Sequence, residues 1–146
     1  MRIEIDQSGK VEDTNRLTVV AFCNGKIKSL KISAIEKRKV LATMKLFGYP
    51  KHSFVYKTFA GLVFLLIKNE KASEVVIDKE YVGNEPTIKN ILLQLFQKYN
   101  IKPPIIAFEN IGKKSMAHEI AIIVFRNKRK ADIIVDSKKV LNLFFK

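Results

Sequence analysis

The sequence is poor in cysteine, in acidic residues and in long apolar runs. With one cysteine, Cys23, among 146 residues, no intrachain disulfide can form, and Cys23 reads as a small apolar member of a strand. The only two histidines, His52 and His118, stand far apart in sequence, so no Cys/His zinc cluster is indicated. A chain of this kind suits a reducing compartment, and an intracellular, cytoplasmic location is expected. The longest apolar run, residues 59–67, is nine residues, against about 20 for a bilayer span. No membrane partner is therefore expected. Arg2, Glu4 and Asp6 interrupt the N-terminus, which does not read as a secretory leader. No Gly-x-x-x-x-Gly-Lys-Ser/Thr string occurs, so Gly9-Lys10 is not a phosphate loop. Repeats, linkers and low-complexity stretches are also missing, and residues 1–146 read as one domain.

What is abundant is positive charge. Lys and Arg number 27 against 14 Asp and Glu, a net charge of +13 with a pI near 9.9. The excess lies in both halves of the chain, so it is not a basic tail. Such a field raises the local concentration of polyanions, and nucleic acid is the expected partner; a solubility surface is the bland alternative. Basic groups cluster at Lys37-Arg38-Lys39, at Lys113-Lys114 and at Arg126-Asn127-Lys128-Arg129-Lys130. With Lys10, these are the candidate phosphate contacts, which position a duplex without reading its sequence. Tyr49, His52, Tyr56 and Tyr81 are candidates for stacking on bases or sugars, with packing as the ordinary alternative.

The apolar pattern gives the elements. Residues 2–6 alternate charged and apolar, as a strand does. Residues 17–23 and 26–32 make two more strands, joined by Asn24-Gly25, a strong hairpin signal. Helical spacing follows over 34–47 and 52–68, the second apolar nearly all round and therefore buried. A short β-branched strand at 74–78, a helix over 87–99 after Pro86, a strand at 105–108, a helix from Ser115 to about Lys130 and a last short helix at 138–145 complete the chain. Residues 132–135, before that helix, are a candidate short strand outside the count of five. The reading is an α/β fold with a mixed five-stranded sheet, its first three strands antiparallel and the rest in βαβ units, with helices on both faces.

Two aspartates end strands in this reading: Asp6 after Ile-Glu-Ile and Asp78 after Val-Val-Ile. Read singly, each is a turn-capping residue. Read together, they flank the place where strand order reverses, the usual ligand crevice of an open α/β sheet. Parallel neighbours lie about 4.8 Å apart, and two carboxylates so close repel unless a cation sits between them. Hard oxygen ligands select Mg²⁺ or Mn²⁺.

Ile5-Asp6-Gln7-Ser8-Gly9-Lys10, followed by a β hairpin, resembles the first strand of the RNase H-like superfamily. Its Asp-x-Ser-Gly-Lys string is similar to the start of type 2 RNases H and of Holliday-junction-resolvase-like nucleases. Val75-Val76-Ile77-Asp78 resembles the strand that carries the family's second catalytic aspartate. The order of elements extends the resemblance over nearly the whole chain. It implies an RNase H-like fold with Asp6 and Asp78 as catalytic metal ligands. It also implies a further ligand or proton-transfer group on the last long helix, where His118 matches and Glu119 is the neighbouring alternative. An acidic residue on the first long helix belongs to the pattern too; Glu36 is the one candidate there, and Glu80 is a substitute carboxylate two residues past Asp78. The actin-like ATPases share this sheet but want a Gly-rich hairpin and a second domain, for which the chain is too short.

The leading expectation is a Mg²⁺- or Mn²⁺-dependent nuclease cleaving phosphodiesters of structured DNA or RNA–DNA hybrids by a two-metal route, Asp6 bridging the ions. A non-catalytic nucleic-acid-binding module, and a subunit that binds a protein partner through the apolar helix at residues 59–67, are the alternatives. A homodimer stays open.

Overall fold

Strand β1 (Arg2–Ser8) buries Ile3 and Ile5 on one side, and the alternation of a strand sends Glu4 and Asp6 to the other. In this computed structural model, which describes residues 1–113 and 115–145, β1 is the hub of the sheet. It pairs antiparallel with β2 (Thr18–Cys23) and parallel with β4 (Glu74–Asp78). A hairpin joins β2 to β3 (Ile27–Ile32), with Gly25 at φ +87°, a conformation that glycine adopts without steric penalty. Strand β5 (Ile105–Glu109) lies parallel to β4, and β6 (Ile133–Val135) lies parallel to β3. The order is β5-β4-β1-β2-β3-β6.

The chain is thus α/β, with a six-stranded mixed sheet and, among the described residues, five helices. The expected count of five strands is corrected. Residues 133–135 pair with Leu30, Lys31 and Ile32, and so satisfy backbone groups that β3 would otherwise leave open at the sheet edge.

Helices α1 (Ala34–Leu46), α2 (Lys51–Ile67), α3 (Glu85–Lys98) and α5 (Ser137–Phe144) share the main core with Ile3, Ile5, Val20, Phe22, Leu30, Ile32, Val75 and Ile77. The α2 segment at residues 59–67 is buried by this chain itself, with Phe64 edge-on to Phe96 at 5.0 Å. Burying such a phenylalanine contributes about 1.5–3 kcal/mol. That burial corrects the expectation of a partner-binding face there. None of the described helices is long and apolar enough to cross a membrane.

Among the described residues, the opposite face carries a single helix, α4 (Met116–Phe125), whose Ile120, Ala121 and Val124 pack on Val19 and Ala21. Ser115 caps it, its hydroxyl accepting from the His118 N–H at 3.0 Å. The helix stops at Phe125, not near Lys130 as the sequence suggested, because Asn127 turns into the left-handed region at φ 60°. Gly9, at φ +79°, faces α4 where a Cβ would strike the Leu17 carbonyl and stand 2.6 Å from the Phe125 ring.

Candidate metal centre

The β1–β4 register runs Arg2↔Glu74, Ile3↔Val75, Glu4↔Val76 and Ile5↔Ile77. One residue further, Asp6 stands beside Asp78, and both side chains leave the sheet on the α4 side, opposite Ile5 and Ile77 in the main core. The expected pair is therefore brought together. Glu80 joins it: single carboxylate oxygens of Asp6, Asp78 and Glu80 all lie within 4.8 Å of one another. Oxygens on one ion can stand about 5 Å apart at the 2.3–2.6 Å of Ca²⁺ and about 4.2 Å apart at the 2.0–2.1 Å of Mg²⁺, so the three are near enough to converge on one cation.

Asp6 is buried, at 3% exposure. Its Oδ1 accepts from the Gln7 N–H at 2.7 Å, and its Oδ2 lies 2.7 Å from His118 Nδ1. Burial nevertheless pushes its pKa up, the bonds from Gln7 and His118 pulling the other way and Asp78 adding repulsion. Glu80 is pushed up to about 7, first by burial, then by Asp78 and Asp6, with Lys10 opposing. Asp78 Oδ1 accepts from the Ile111 N–H at 2.8 Å. The site holds more negative charge than its own hydrogen bonds offset. The donors are hard carboxylate oxygens, which suit Mg²⁺ or Mn²⁺. What this geometry supports directly is a cluster of acids able to hold a metal ion.

The third expected group is placed differently. His118 does not enter the three-oxygen cluster; it touches Asp6 through Nδ1 and holds that carboxylate from behind. Glu119 is corrected: it is exposed and stands outside the cluster. Glu36 is corrected as well, since its carboxylate accepts from the Ser137 N–H at 2.8 Å and pairs with Lys39 at 2.9 Å.

Lys10, Arg38, Lys39, Lys113, Arg126, Lys128, Arg129 and Lys130 are exposed, as phosphate contacts must be. Arg38 also donates to the Thr14 carbonyl at 2.7 Å. Lys114 lies outside the described residues. Lys37 is corrected: it is fully buried, its Nζ donating to the carbonyls of Lys10 (3.1 Å), Val11 (3.5 Å) and Asp13 (2.6 Å) and to Thr18 Oγ1 (3.0 Å). Tyr81 is buried too and cannot stack on a base. Tyr49 and Tyr56 are half-buried, and His52 is exposed.

Sequence reasoning missed a cavity of about 530 Å³ at the C-terminal end of α4, lined by Asn15, Arg16, Lys31, Ser33 and Asn127 among others. Arg16 and Lys31 are isolated in sequence, so no basic run marked them. In comparisons with known proteins, no family model, no curated protein and no solved structure matches the chain.

Proposed function

We propose that this chain is a divalent-metal-dependent nuclease of RNase H-like architecture, hydrolysing phosphodiesters of structured DNA or RNA–DNA hybrids. The observation that carries the reading is the convergence of Asp6, Asp78 and Glu80 at the ends of two neighbouring parallel strands. The strand order β3-β2-β1-β4-β5, with antiparallel pairing in the first three strands and parallel pairing beyond, supports the same family. Strand β6 is an addition at the edge.

Asp6, Asp78 and Glu80 would hold Mg²⁺ or Mn²⁺. An ion bound there supplies charge neutralisation at the phosphate and a water acidified toward neutral pH, and a second ion would give the two-metal form of the same chemistry. The chain's own residues do the rest. His118 and the Gln7 N–H fix the Asp6 carboxylate, so the ligand is oriented before an ion arrives. Exposed Lys10 stands near enough to Glu80 to pull against its raised pKa, where it would also meet a phosphate. Arg16 and Lys31, with the basic turn at residues 126–130, offer further phosphate contacts at the other end of α4.

The test is cleavage of labelled hybrid, junction and flap substrates with Mg²⁺ or Mn²⁺, beside a binding measurement in Ca²⁺. The expected result is cleavage by the unmodified chain, lost in Asp6→Asn, with binding retained. Affinity should fall roughly 10³–10⁵-fold between 50 and 200 mM salt if about 6–10 phosphates are contacted. Salt-sensitive binding without cleavage of any substrate would favour the non-catalytic module. No binding at 50 mM salt would overturn the nucleic-acid reading.

A further inference from the structure

Glu80 is the carboxylate with the least backbone support: its N–H reaches the Asp78 carbonyl at 2.9 Å, within the same short segment. The next residue is anchored far better. The Tyr81 ring is buried against Phe59 (centroids 5.1 Å) and Tyr56 (5.9 Å). Its hydroxyl accepts from the Val11 N–H at 3.4 Å and lies 3.3 Å from both Gln7 Oε1 and Glu12 Oε1. A phenol has one proton to donate, and the ionised Glu12 is the stronger acceptor of the two. Burial, with Glu12 alongside, pushes the Tyr81 pKa up, so the hydroxyl keeps that proton.

Each of these partners leads back to the carboxylates. Gln7 is the residue whose N–H holds Asp6 Oδ1. Val11 and Glu12 belong to the β1–β2 loop, and the buried Lys37 ammonium draws the carbonyls of Lys10, Val11 and Asp13 together beneath that loop. The Tyr81 hydroxyl thus joins the loop after Asp6 to the loop after Asp78.

We infer that Tyr81 is a positioning residue: tied to Glu12 and Gln7, its hydroxyl holds Glu80 beside Asp6 and Asp78 and so sets the affinity of the centre for a divalent cation. The inference rests on the metal reading. Outer groups of this kind change metal affinity by roughly 10–100-fold when removed.

The experiment is Mn²⁺ titration of the full chain, followed by the electron paramagnetic resonance of free Mn²⁺, with thermal melts in EDTA. Tyr81→Phe keeps the ring and removes the hydroxyl. It should weaken Mn²⁺ binding at least about tenfold, and it should lower the EDTA melt as well, because the buried Val11 N–H loses its acceptor. Glu12→Ala should reproduce the loss without touching the core, and it decides the matter if Tyr81→Phe melts early. Glu12→Gln, which retains an acceptor, should keep most of the affinity. The double change Glu12→Ala/Tyr81→Phe should be no weaker than either alone, because both break one link. Tyr81→Phe and Glu12→Ala binding Mn²⁺ as tightly as the unmodified chain, with Asp6→Asn abolishing binding, would overturn the positioning role and leave the metal centre intact. No Mn²⁺ binding by the unmodified chain would overturn the metal centre, and the inference with it.

Discussion

Among the described residues, two charged ones, Asp6 and Lys37, are buried, and they are treated in opposite ways. Around Lys37, four oxygens from one loop and one strand close on the ammonium. Around Asp6, two donors hold the carboxylate, but two further carboxylates are then brought against it. Burial still pulls the Lys37 pKa down to about 8, with Asp13 and Glu12 resisting. The difference lies in what is left over. The lysine site is complete with the protein's own atoms, as a structural site is. The aspartate site gathers acceptors without matching donors, an arrangement that burial makes costly and that a cation would relieve. Completeness, more than burial, separates the group that holds the fold from the group we propose as a metal ligand.

The largest effect should come from breaking the complete site. Lys37→Met keeps the length of the side chain but leaves the Val11 carbonyl and the Thr18 hydroxyl without their donor, the Lys10 and Asp13 carbonyls keeping the N–H groups of Asp13 and Arg16. At about 1–3 kcal/mol for each buried group left unpaired, urea unfolding should show a loss of about 3 kcal/mol or more, with the melting temperature down by roughly 10 °C. Stability equal to that of the unmodified chain would mean these groups find water instead, and the contrast with Asp6 would lose its first half.

A smaller effect is expected from filling the incomplete site. Mn²⁺ at a hundred times its Kd should stabilise the protein by about 2.7 kcal/mol, and Asp6→Asn should remove that increment. In EDTA the same variant should melt slightly above the unmodified chain, since it takes a disfavoured charge out of the cluster. An Asp6→Asn protein that is less stable in EDTA would show that the carboxylate is satisfied as it stands.

The smallest effect should come from Glu36, the half-buried neighbour of Lys37. Its pKa is lowered to about 2, first by the Ser137 N–H and then by Lys39. A carboxylate whose folded pKa lies below its unfolded value of 4.5 contributes stability above 4.5 and loses it as pH falls toward 2. An acid titration of stability should therefore be shallower for Glu36→Gln between those limits. Equal slopes would mean that solvent screens the contact at the head of α5 completely.

Much of this was legible in the sequence. Apolar runs ending in Asp6 and Asp78 placed both aspartates at strand ends, and the change from hairpins to helix-separated strands put those ends side by side. Glu80 was visible only as a fallback, because a loop residue has no periodicity to aim it. Lys37 was misread since three adjacent basic residues look like a solvated run. Its spacing to Val40 and Met44, three and seven residues on, was a usable sign of an inward face. Strand β6 is three residues long and pairs with a partner a hundred residues earlier, which local pattern cannot report. The Tyr81 links are hidden for the same reason, since Gln7 and Glu12 lie about 70 residues away from it.

The close approach at Gly9 turns α4 into a lever. The helix rests on the β1–β2 turn at its Phe125 end and carries His118 near the other, on one rigid rod of ten residues. A Cβ at position 9 would strike the Leu17 carbonyl first and the Phe125 ring next, and any shift the ring does not absorb passes along the helix toward the imidazole that steadies Asp6. The fulcrum is a place where nothing but a hydrogen atom fits.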